Sequence, residues 1–242
     1  MKKTIMITGG SKGLGKSLAL GFAKQQHRIA ICARGEHDLR TVKEQAETLG
    51  AEVVALKADI SDATDVEKFV SIVEDHFGSV DVLINNASIF GPGPKQHLDY
   101  TDETFSNVLK VNIMNPFLVT KRVLPGMIAN RSGSVINLTS EAGRTGFAEW
   151  GAYGISKFAV EGMTETWASE VAEYDIRMNM VDPGEMDTAM HSRAVPDCDY
   201  DLAAPEERLD VFFYLASEQS NKHNGERFEA ATFINKAGVQ SE

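Results

Sequence analysis

Two side chains that could move a proton lie four residues apart near the middle of the chain. Tyr153 and Lys157 occur in the segment 140–157, SEAGRTGFAEWGAYGISK, and residues four apart share one face of a helix. An ammonium beside a phenol stabilises the phenolate, so we expect Lys157 to lower the pKa of Tyr153 from its usual value of about 10. A tyrosine tuned in this way can give or take a proton near neutral pH.

Ser140 is the third candidate, because it follows the apolar run 135–138. A strand that ends there and a helix that begins near Gly151 would bring the serine hydroxyl and the phenol together. Tyr-x-x-x-Lys is common by chance, so its meaning depends on what the rest of the chain supplies.

A glycine-rich turn lies between the first apolar run, Ile5 to Thr8, and a segment with helical spacing from Lys16 to Gln25. Glycines at a strand-to-helix turn let the backbone approach a phosphate and aim the helix N-terminus at its charge. The alternative is a turn without a ligand. Its position after the first strand favours phosphate binding.

The second strand, 28–33, bears on the choice of dinucleotide. Folds that bind NAD place an acid near this point to bond the adenosine ribose, but Arg34 follows this strand and Lys12 stands in the glycine-rich turn. A guanidinium can grip a 2′-phosphate in bidentate fashion. We therefore predict NADP(H) in preference to NAD(H), unless both cations are ordinary surface residues.

Polar residues also follow the third and fourth strands, 52–58 and 80–84. Asp59 could accept the adenine amino group, and Ser61 suits the N-cap of the next helix, which runs to Phe77. Asn85, Asn86 and Ala87 follow the fourth strand, where side-chain amides can tie neighbouring strands together and line a cleft. A plain turn is the alternative.

A long helix is predicted from 102 to 130, after a loop over 89–101. Pro116 in this helix would displace the carbonyl four residues earlier, which belongs to Asn112. We expect that carbonyl to accept a hydrogen bond from a water that Lys157 also contacts.

The remaining pattern alternates strands with helices. Further helices are expected at 36–49, 151–174 and 206–217, and further strands at 133–139, 176–181 and 225–234. The segment 186–204 lacks periodicity and is predicted to be a mobile substrate flap, and 235–242 a frayed tail. We predict an α/β fold, with one doubly wound, Rossmann-type, mostly parallel sheet and helices on both faces, in a single domain over 1–242.

Composition narrows the partners. The net charge of −11, from 35 acids and 24 bases among 242 residues, disfavours nucleic acid and anionic membranes. Two cysteines and six scattered histidines suggest neither a disulfide framework nor a metal site. The apolar run that ends at Thr8 is too short for export or for a membrane span, so a cytoplasmic protein is expected.

In order and spacing, these motifs resemble the single-domain branch of the short-chain dehydrogenase/reductase family, from residue 4 to about residue 230. The matching pieces are Thr8-Gly-x-x-x-Gly-x-Gly15, Asp59, Asn85-Asn86-Ala87, Asn112, Ser140, Tyr153-x-x-x-Lys157 and Pro183-Gly184 with Thr188.

The resemblance implies a role for each catalytic residue. Tyr153 would protonate a carbonyl oxygen as the nicotinamide hydride reaches its carbon, and Ser140 would hold that oxygen. Lys157 would bond the nicotinamide ribose and lower the tyrosine pKa, and Asn112 would complete a proton relay through its main chain and a water.

The resemblance also implies the cofactor contacts. The adenosine and pyrophosphate would be surrounded by Gly9, Ser11, Lys12, Gly13, Leu14 and Gly15. The rest of the cleft would be lined by Asp59, Ile60, Asn86, Ala87, Pro183, Gly184, Met186 and Thr188.

Two departures from the family pattern bear on shape and assembly. Ser88 replaces a glycine common in the family and could narrow the space beside the cofactor. The C-terminal end reads FEAATF over 228–233 rather than ending in Asp-Gly-Gly, which puts the usual tail packing and tetramer in doubt. A homo-oligomer, dimer or tetramer, through the helices 102–130 and 151–174 is still expected.

The expected reaction is reduction of an aldehyde, ketone or diketone. Candidate pocket residues are Glu141, Phe147, Trp150, Glu185 and Met190, and Arg131 and Arg144 are too few to indicate an acidic carrier protein. The alternatives are a nucleotide sensor without catalysis, an epimerase or dehydratase of the longer relatives, and a protein-interaction module that uses the acidic flap.

Overall fold

The computed structural model describes residues 2–234, in which seven strands form one sheet with the order β3-β2-β1-β4-β5-β6-β7. The strands are β1 Thr4–Thr8, β2 Arg28–Ala33, β3 Val53–Lys57, β4 Val82–Asn85, β5 Gly133–Leu138, β6 Ile176–Asp182 and β7 Arg227–Glu229. Each neighbouring pair is parallel. The strand order reverses between β1 and β4, and ligands of doubly wound sheets bind at the carboxyl ends of the strands at that point. The predicted α/β fold is confirmed.

Helices cover both faces of the sheet. They are α1 Gly13–Lys24, α2 Glu36–Thr48, α3 Ala63–Phe77, α4 Asp102–Leu109, α5 Asn115–Asn130, α6 Gly151–Val171, α7 Ala189–Ala194 and α8 Asp210–Ala216. Alternate residues of β1 point into two separate cores, as strand geometry requires. Ile5 packs in one core with Phe22 and Phe212, whereas Met6 packs in the other with Phe69. None of the helices in the described part is both long and apolar enough to cross a membrane.

The predicted helix over 102–130 is three segments. Between α4 and α5 lies a π-helical turn, Lys110–Met114, which contains Asn112, and Pro116 lies in the first turn of α5. Proline cannot donate to the helical ladder and its ring crowds the carbonyl four residues earlier, so the extra residue of a π turn is accommodated there. The water expected at the Asn112 carbonyl stays a prediction.

Several other boundaries differ from the sequence prediction. The segment 186–204 contains α7, whose first turn is capped by the Thr188 hydroxyl on the His191 N–H. The helix predicted over 206–217 is split, because a 3₁₀ turn Pro205–Arg208 precedes α8. Asp62, not Ser61, caps α3.

The C-terminal end of the chain also differs from expectation. The strand predicted over 225–234 is reduced to the three residues of β7, which within residues 2–234 pairs with β6 only. The tail predicted at 235–242 lies outside the described residues.

A buried guanidinium fastens this short strand. The Arg227 side chain is only 3% exposed and donates to Asp182 Oδ2 at 2.7 Å and to Glu161 Oε1 at 3.0 Å. It also contacts Glu229 beside it on β7. Since Asp182 ends β6 and Glu161 belongs to α6, one side chain joins β7 to both elements.

We expect Arg227→Ala to lower the free energy of unfolding by about 3–5 kcal/mol, because it leaves the buried Asp182 carboxylate without its cation and removes the closer of the two arginines beside Glu161. The matched control is Arg40→Gln, whose partner Glu44 is 3.9 Å away with both side chains about two-thirds exposed. An exposed pair of that kind contributes less than about 1 kcal/mol. Urea denaturation of both variants checks this, and equal losses would contradict a structural role for Arg227.

Candidate active site

One cavity of about 460 Å³ opens at the carboxyl ends of the central strands. It brings together most of the predicted cofactor residues from six separate segments of the chain. Those that line it are Gly9, Ser11, Lys12, Gly13, Leu14, Arg34, Asp59, Ile60, Asn86, Ala87, Tyr153, Lys157, Pro183, Met186 and Thr188. Gly15, Gly184, Asn112 and Ser140 do not line it.

The glycine-rich turn is built for close backbone approach. Gly9 has φ +68°, and a Cβ at that position would lie 2.9 Å from Ala87 Cα. A Cβ on Gly15 would lie 2.2 Å from the Gly9 carbonyl oxygen, so Gly15 lets α1 pack against the turn rather than touching a ligand. No side chain caps the start of α1, which leaves its first N–H groups directed at the cavity, an arrangement suited to a phosphate.

Side-chain amides tie the strand ends together, as predicted for Asn85 and Asn86. Asn86 Nδ2 donates to the Thr8 and Gly9 carbonyl oxygens at 2.9 and 3.2 Å. Asn85 Nδ2 donates to Asn137 Oδ1 at 2.8 Å, which links β4 to β5. The cavity floor is therefore a cross-linked array of strand ends.

A carboxylate that the sequence did not indicate enters the cavity beside the two predicted cations. Asp38, in the first turn of α2, lines the cavity with Lys12 and Arg34. Its Oδ2 lies 2.8 Å from Lys12 Nζ. The acid comes from a helix rather than from the strand end; the two-residue connection Arg34-Gly35 was the signal that α2 starts close enough to supply it.

Asp59 lies at the same end of the cavity. Burial acts to raise its pKa, but hydrogen bonds from Ser61 and the nearby Arg34 guanidinium outweigh burial and hold the pKa below its usual value. Asp59 Oδ1 accepts from the Ser61 N–H and hydroxyl at 3.0 and 2.8 Å. The carboxylate is therefore ionised and already partly engaged.

Ser140 and Tyr153 meet as the sequence predicted. Ser140 follows the end of β5, and Tyr153 lies in the first turn of α6. The serine hydroxyl lies close enough to the phenol to favour its ionised form, and it accepts from the Ala142 N–H at 3.3 Å. Two hydroxyl groups thus converge on one point beside the cavity.

The prediction that Lys157 lowers the pKa of Tyr153 is wrong. Burial raises the pKa of Tyr153 to about 12, in spite of the nearby Ser140 hydroxyl, which acts to lower it. Lys157 Nζ donates to the Leu138 carbonyl oxygen at 2.8 Å and lies 5.4 Å from the centroid of the tyrosine ring. The ammonium is therefore held over the ring rather than beside the hydroxyl.

Lys157 is perturbed as well. Burial lowers its pKa to about 8, and the carboxylates of Asp182 and Glu161 act in the opposite direction. At neutral pH the side chain is still mostly charged, inside a wall of the cavity where water is scarce.

Asn112 uses both of its side-chain amide N–H groups within the protein and so has none left to donate to a ligand. Its amide exchanges two hydrogen bonds with the Ile89 backbone, at 2.8 and 2.9 Å, and donates to Ser156 Oγ at 2.9 Å. Asn115, three residues later, was missed from the sequence. It lines the cavity, is 4% exposed, and its Oδ1 has no hydrogen-bond partner among residues 2–234.

These observations test whether the cavity fits a nicotinamide dinucleotide. A buried acceptor without a donor needs a ligand or a water, and a dinucleotide offers ribose hydroxyl groups. The close-approach glycines suit its pyrophosphate, and the cations at one end suit further negative charge. The residues fit the cofactor. Within the described residues no cluster of three or more potential metal ligands occurs.

Some of the remaining predicted residues line the cavity, and others only shape the backbone beside it. Gly184 does not line the cavity; it is a turn residue at φ +70° whose N–H donates to Asp182 Oδ1 at 2.9 Å. Of the proposed pocket residues, Met190 lines the cavity, and the Trp150 ring lies 5.9 Å from that of Tyr153.

The other pocket candidates have protein partners. Glu185 accepts from the Tyr200 hydroxyl at 2.7 Å and pairs with His191, and Glu141 accepts from Thr145. The Phe147 ring lies 5.4 Å from that of Trp150 at the protein surface.

In nucleotide-free protein, we expect Lys157→Met to raise the free energy of unfolding at pH 7 by roughly 2 kcal/mol. Burial lowers the lysine pKa from 10.5 to about 8, and each pKa unit costs the folded state about 1.4 kcal/mol. The substitution removes this cost, but it also removes the hydrogen bond to Leu138, which stabilises the fold by about 1 kcal/mol. The free-energy cost of burying the charged lysine is full below pH 8 and vanishes as pH rises toward 10.5. The stability gained by Lys157→Met therefore shrinks over that range.

Urea denaturation at pH 7 and pH 9.5 checks this. Lys68→Met, at an exposed position, is the control and should change stability by less than about 0.5 kcal/mol. Destabilisation by Lys157→Met at pH 7, or a gain that grows with pH, would refute the assignment.

The chain is similar to known proteins over most of its length. The model of the short chain dehydrogenase family matches residues 3–199. The 3-oxoacyl-[acyl-carrier-protein] reductase FabG of Thermotoga maritima is 32% identical over 234 residues, which cover 93% of this chain and 94% of that protein.

Two solved structures show the same architecture with different cofactors. A short chain dehydrogenase from Shigella flexneri complexed with NADP is 27% identical with a TM-score of 0.89, over 95% of this chain and 97% of that one. NAD⁺-bound xylitol dehydrogenase is 27% identical with a TM-score of 0.88, over 94% and 96%. Sequence match, sheet order and cavity agree: this chain belongs to the short chain dehydrogenase family and is an oxidoreductase.

Proposed function

We propose that the protein reduces the carbonyl group of a small, free aldehyde, ketone or diketone with NADPH. The observation that carries this proposal is the juxtaposition of Ser140, Tyr153 and Lys157 at a cavity that fits a dinucleotide. The two hydroxyl groups meet at the end of β5 and the start of α6, and the ammonium lies over the tyrosine ring.

When bound, a reduced nicotinamide would supply the hydride that the carbonyl carbon needs. The carbonyl oxygen then needs a proton, which the Tyr153 hydroxyl gives. A phenol with a pKa of about 12 is protonated at neutral pH, so this tyrosine is in the form that reduction requires. Ser140 holds the oxygen by a hydrogen bond as negative charge develops on it.

Lys157 and Asn115 are assigned to the cofactor. The ammonium of Lys157, already fixed by Leu138, has donors left for the nicotinamide ribose and supplies positive charge near the phenol. The unsatisfied Asn115 oxygen accepts from a hydroxyl group of the bound dinucleotide. Asn112 acts as a positioning residue, since its side chain holds Ile89 and Ser156.

The preference for NADP(H) is supported by Arg34 and Lys12, which line the adenosine end of the cavity. An arginine there can bind a 2′-phosphate in bidentate fashion. Structural relatives include both NADP-bound and NAD⁺-bound proteins, so the preference rests on these two cations.

A free substrate, rather than one bound to an acidic carrier protein, is supported by the pairing of the two candidate cations and by the acids of the segment 185–201. Arg131 pairs with Asp175, and Arg144 lies 3.7 Å from Glu161, so both candidate cations have acidic neighbours. The segment 185–201 carries five acids but only one arginine. Beside Tyr153, the Phe90 and Trp150 rings offer an apolar wall.

A homo-oligomer and a cytoplasmic location complete the proposal. On α6, Ile155 and Phe158 are 43% and 48% exposed, three residues apart on one face. One turn later a Cβ on Gly162 would meet nothing within 4 Å, so a second copy of the helix could approach closely.

We expect Tyr153→Phe to lower kcat/KM at least about 100-fold, as loss of a proton donor does, while NADPH still binds. The control is Tyr174→Phe, which removes the same atom outside the cavity. NADPH oxidation is followed over aldehydes, ketones, diketones and sugars, and with one 3-oxoacyl group presented on a small thioester or on a carrier protein.

Unchanged turnover by Tyr153→Phe would refute the catalytic assignment. NADPH binding without turnover of any carbonyl would favour the sensor alternative. Faster reduction of the carrier-bound acyl group than of the small thioester would refute the free-substrate proposal, and faster turnover with NADH would refute the role of Arg34.

We expect the Phe158→Glu variant to have a lower sedimentation coefficient than the wild-type assembly, because a charge replaces an exposed apolar side chain at the proposed interface. Since Phe158 is half exposed, the fold itself should persist by circular dichroism. A monomeric wild type, or an assembly that Phe158→Glu leaves intact, would contradict this interface.

A further inference from the structure

The adenosine end of the cavity contains a carboxylate with no part in the function proposed above. Asp38 comes from the first turn of α2 and lines the cavity with Lys12 and Arg34. Its Oδ2 lies 2.8 Å from Lys12 Nζ. A site that selects a cofactor by an extra phosphate therefore has one of its two cations already matched by an anion.

We propose that Asp38 competes with the 2′-phosphate of NADP(H) for Lys12 and so limits the preference of this enzyme for NADP(H) over NAD(H). This inference rests on the assignment of Lys12 and Arg34 to the 2′-phosphate.

The two cations of the site differ in how they are held. Arg34 makes no ion pair within 4 Å in the described part of the chain; the nearest acid that it influences, Asp59, is hydrogen-bonded to Ser61. Lys12 is held by Asp38. Arg34 is therefore free for the phosphate, whereas Lys12 must first be released from its partner or shared with it.

The competition is weak enough to permit NADP(H) binding. The Lys12 and Asp38 side chains are 73% and 43% exposed, and an exposed pair of this kind changes an equilibrium constant by a factor of about two to five. A phosphate engaged by Arg34 can displace such a pair. The cost of that displacement falls on NADP(H) alone, because the 2′-hydroxyl of NAD(H) carries no charge that attracts Lys12.

The arrangement also fixes where the competitor stays. Asp38 belongs to a helix whose buried residues Leu39 and Val42 anchor it in the core. The carboxylate cannot withdraw far when the cofactor enters, so the competition persists in the bound state.

The test is binding measured by calorimetry, with NADPH and NADH and with the fragments 2′,5′-ADP and 5′-AMP. The variants are Asp38→Asn, Lys12→Gln and their double substitution. Glu36→Gln is the matched control, since it removes the same charge from the same helical turn at a residue that does not line the cavity. The measurements use the full chain at low ionic strength, where exposed charges are least screened.

We expect Asp38→Asn to tighten binding of NADPH and 2′,5′-ADP about two- to fivefold, with NADH and 5′-AMP changed less than twofold. The gain should vanish in the Lys12→Gln background and should be absent in Glu36→Gln.

Three results would overturn the inference. A gain of equal size in the Lys12→Gln background would show that Asp38 acts by charge alone, without competition for Lys12. Selective weakening of NADH binding would make Asp38 a ligand of the ribose hydroxyl. No change with any ligand would leave Asp38 without a role in selection.

Equal binding of NADPH and NADH by the wild type would contradict the NADP(H) preference but not the competition. A gain in NADPH binding alone in Asp38→Asn would still support the competition.

Discussion

The hydrogen bonds that join the carboxyl ends of β1, β4 and β5 are the constraint on which the rest of the site depends. Asn86 holds the Thr8 and Gly9 carbonyls, and the Thr8 hydroxyl accepts from the Asn86 and Ala87 N–H groups. Without these bonds the glycine-rich turn would not be held against the end of β4. The glycine-rich turn also sets the direction of α1. The shape of the cavity therefore depends on the Asn86 amide and the Thr8 hydroxyl.

Burial decides the chemistry at the other end of the cavity. Tyr153 and Lys157 are both nearly excluded from water, and burial opposes ionisation of each. Exclusion from water therefore shifts the two pKa values in opposite directions, up for the phenol and down for the amine. The phenol keeps its proton and the amine is close to losing one, which differs from the picture of a phenol activated by a neighbouring ammonium.

The architecture could be predicted from the sequence because most strands are apolar runs that alternate with helical segments, and β1, β4 and β6 end at glycine, asparagine and proline. The meeting of Ser140 with Tyr153 followed from one strand end and one helix start. The error in the tyrosine pKa had a physical cause: spacing on a helix places Lys157 near the ring, but only the packing shows that its nitrogen bonds Leu138 instead of approaching the hydroxyl.

What the sequence did not reveal depends on contacts across the chain. In the sequence, Asp38 is one of several acids in a polar helix. Only the fold shows that the short β2–α2 connection places it at the cavity. Asn115 gains its meaning from the π turn before it, which no periodicity of side chains records. Arg227 looks like a surface base in an edge strand, yet it is almost fully buried, and four carboxylates lie within 4 Å of it.

That buried arginine gives the end of the chain an influence on the reaction centre. Asp182 and Glu161, which Arg227 holds, are the same two carboxylates that favour the charged form of Lys157. Their orientation toward the amine is thus fixed from a strand of only three residues. Exchange of this strand with a relative that lacks the arginine would alter the proton affinity of the lysine without touching any residue of the cavity, so the C-terminal region and the active site must vary together.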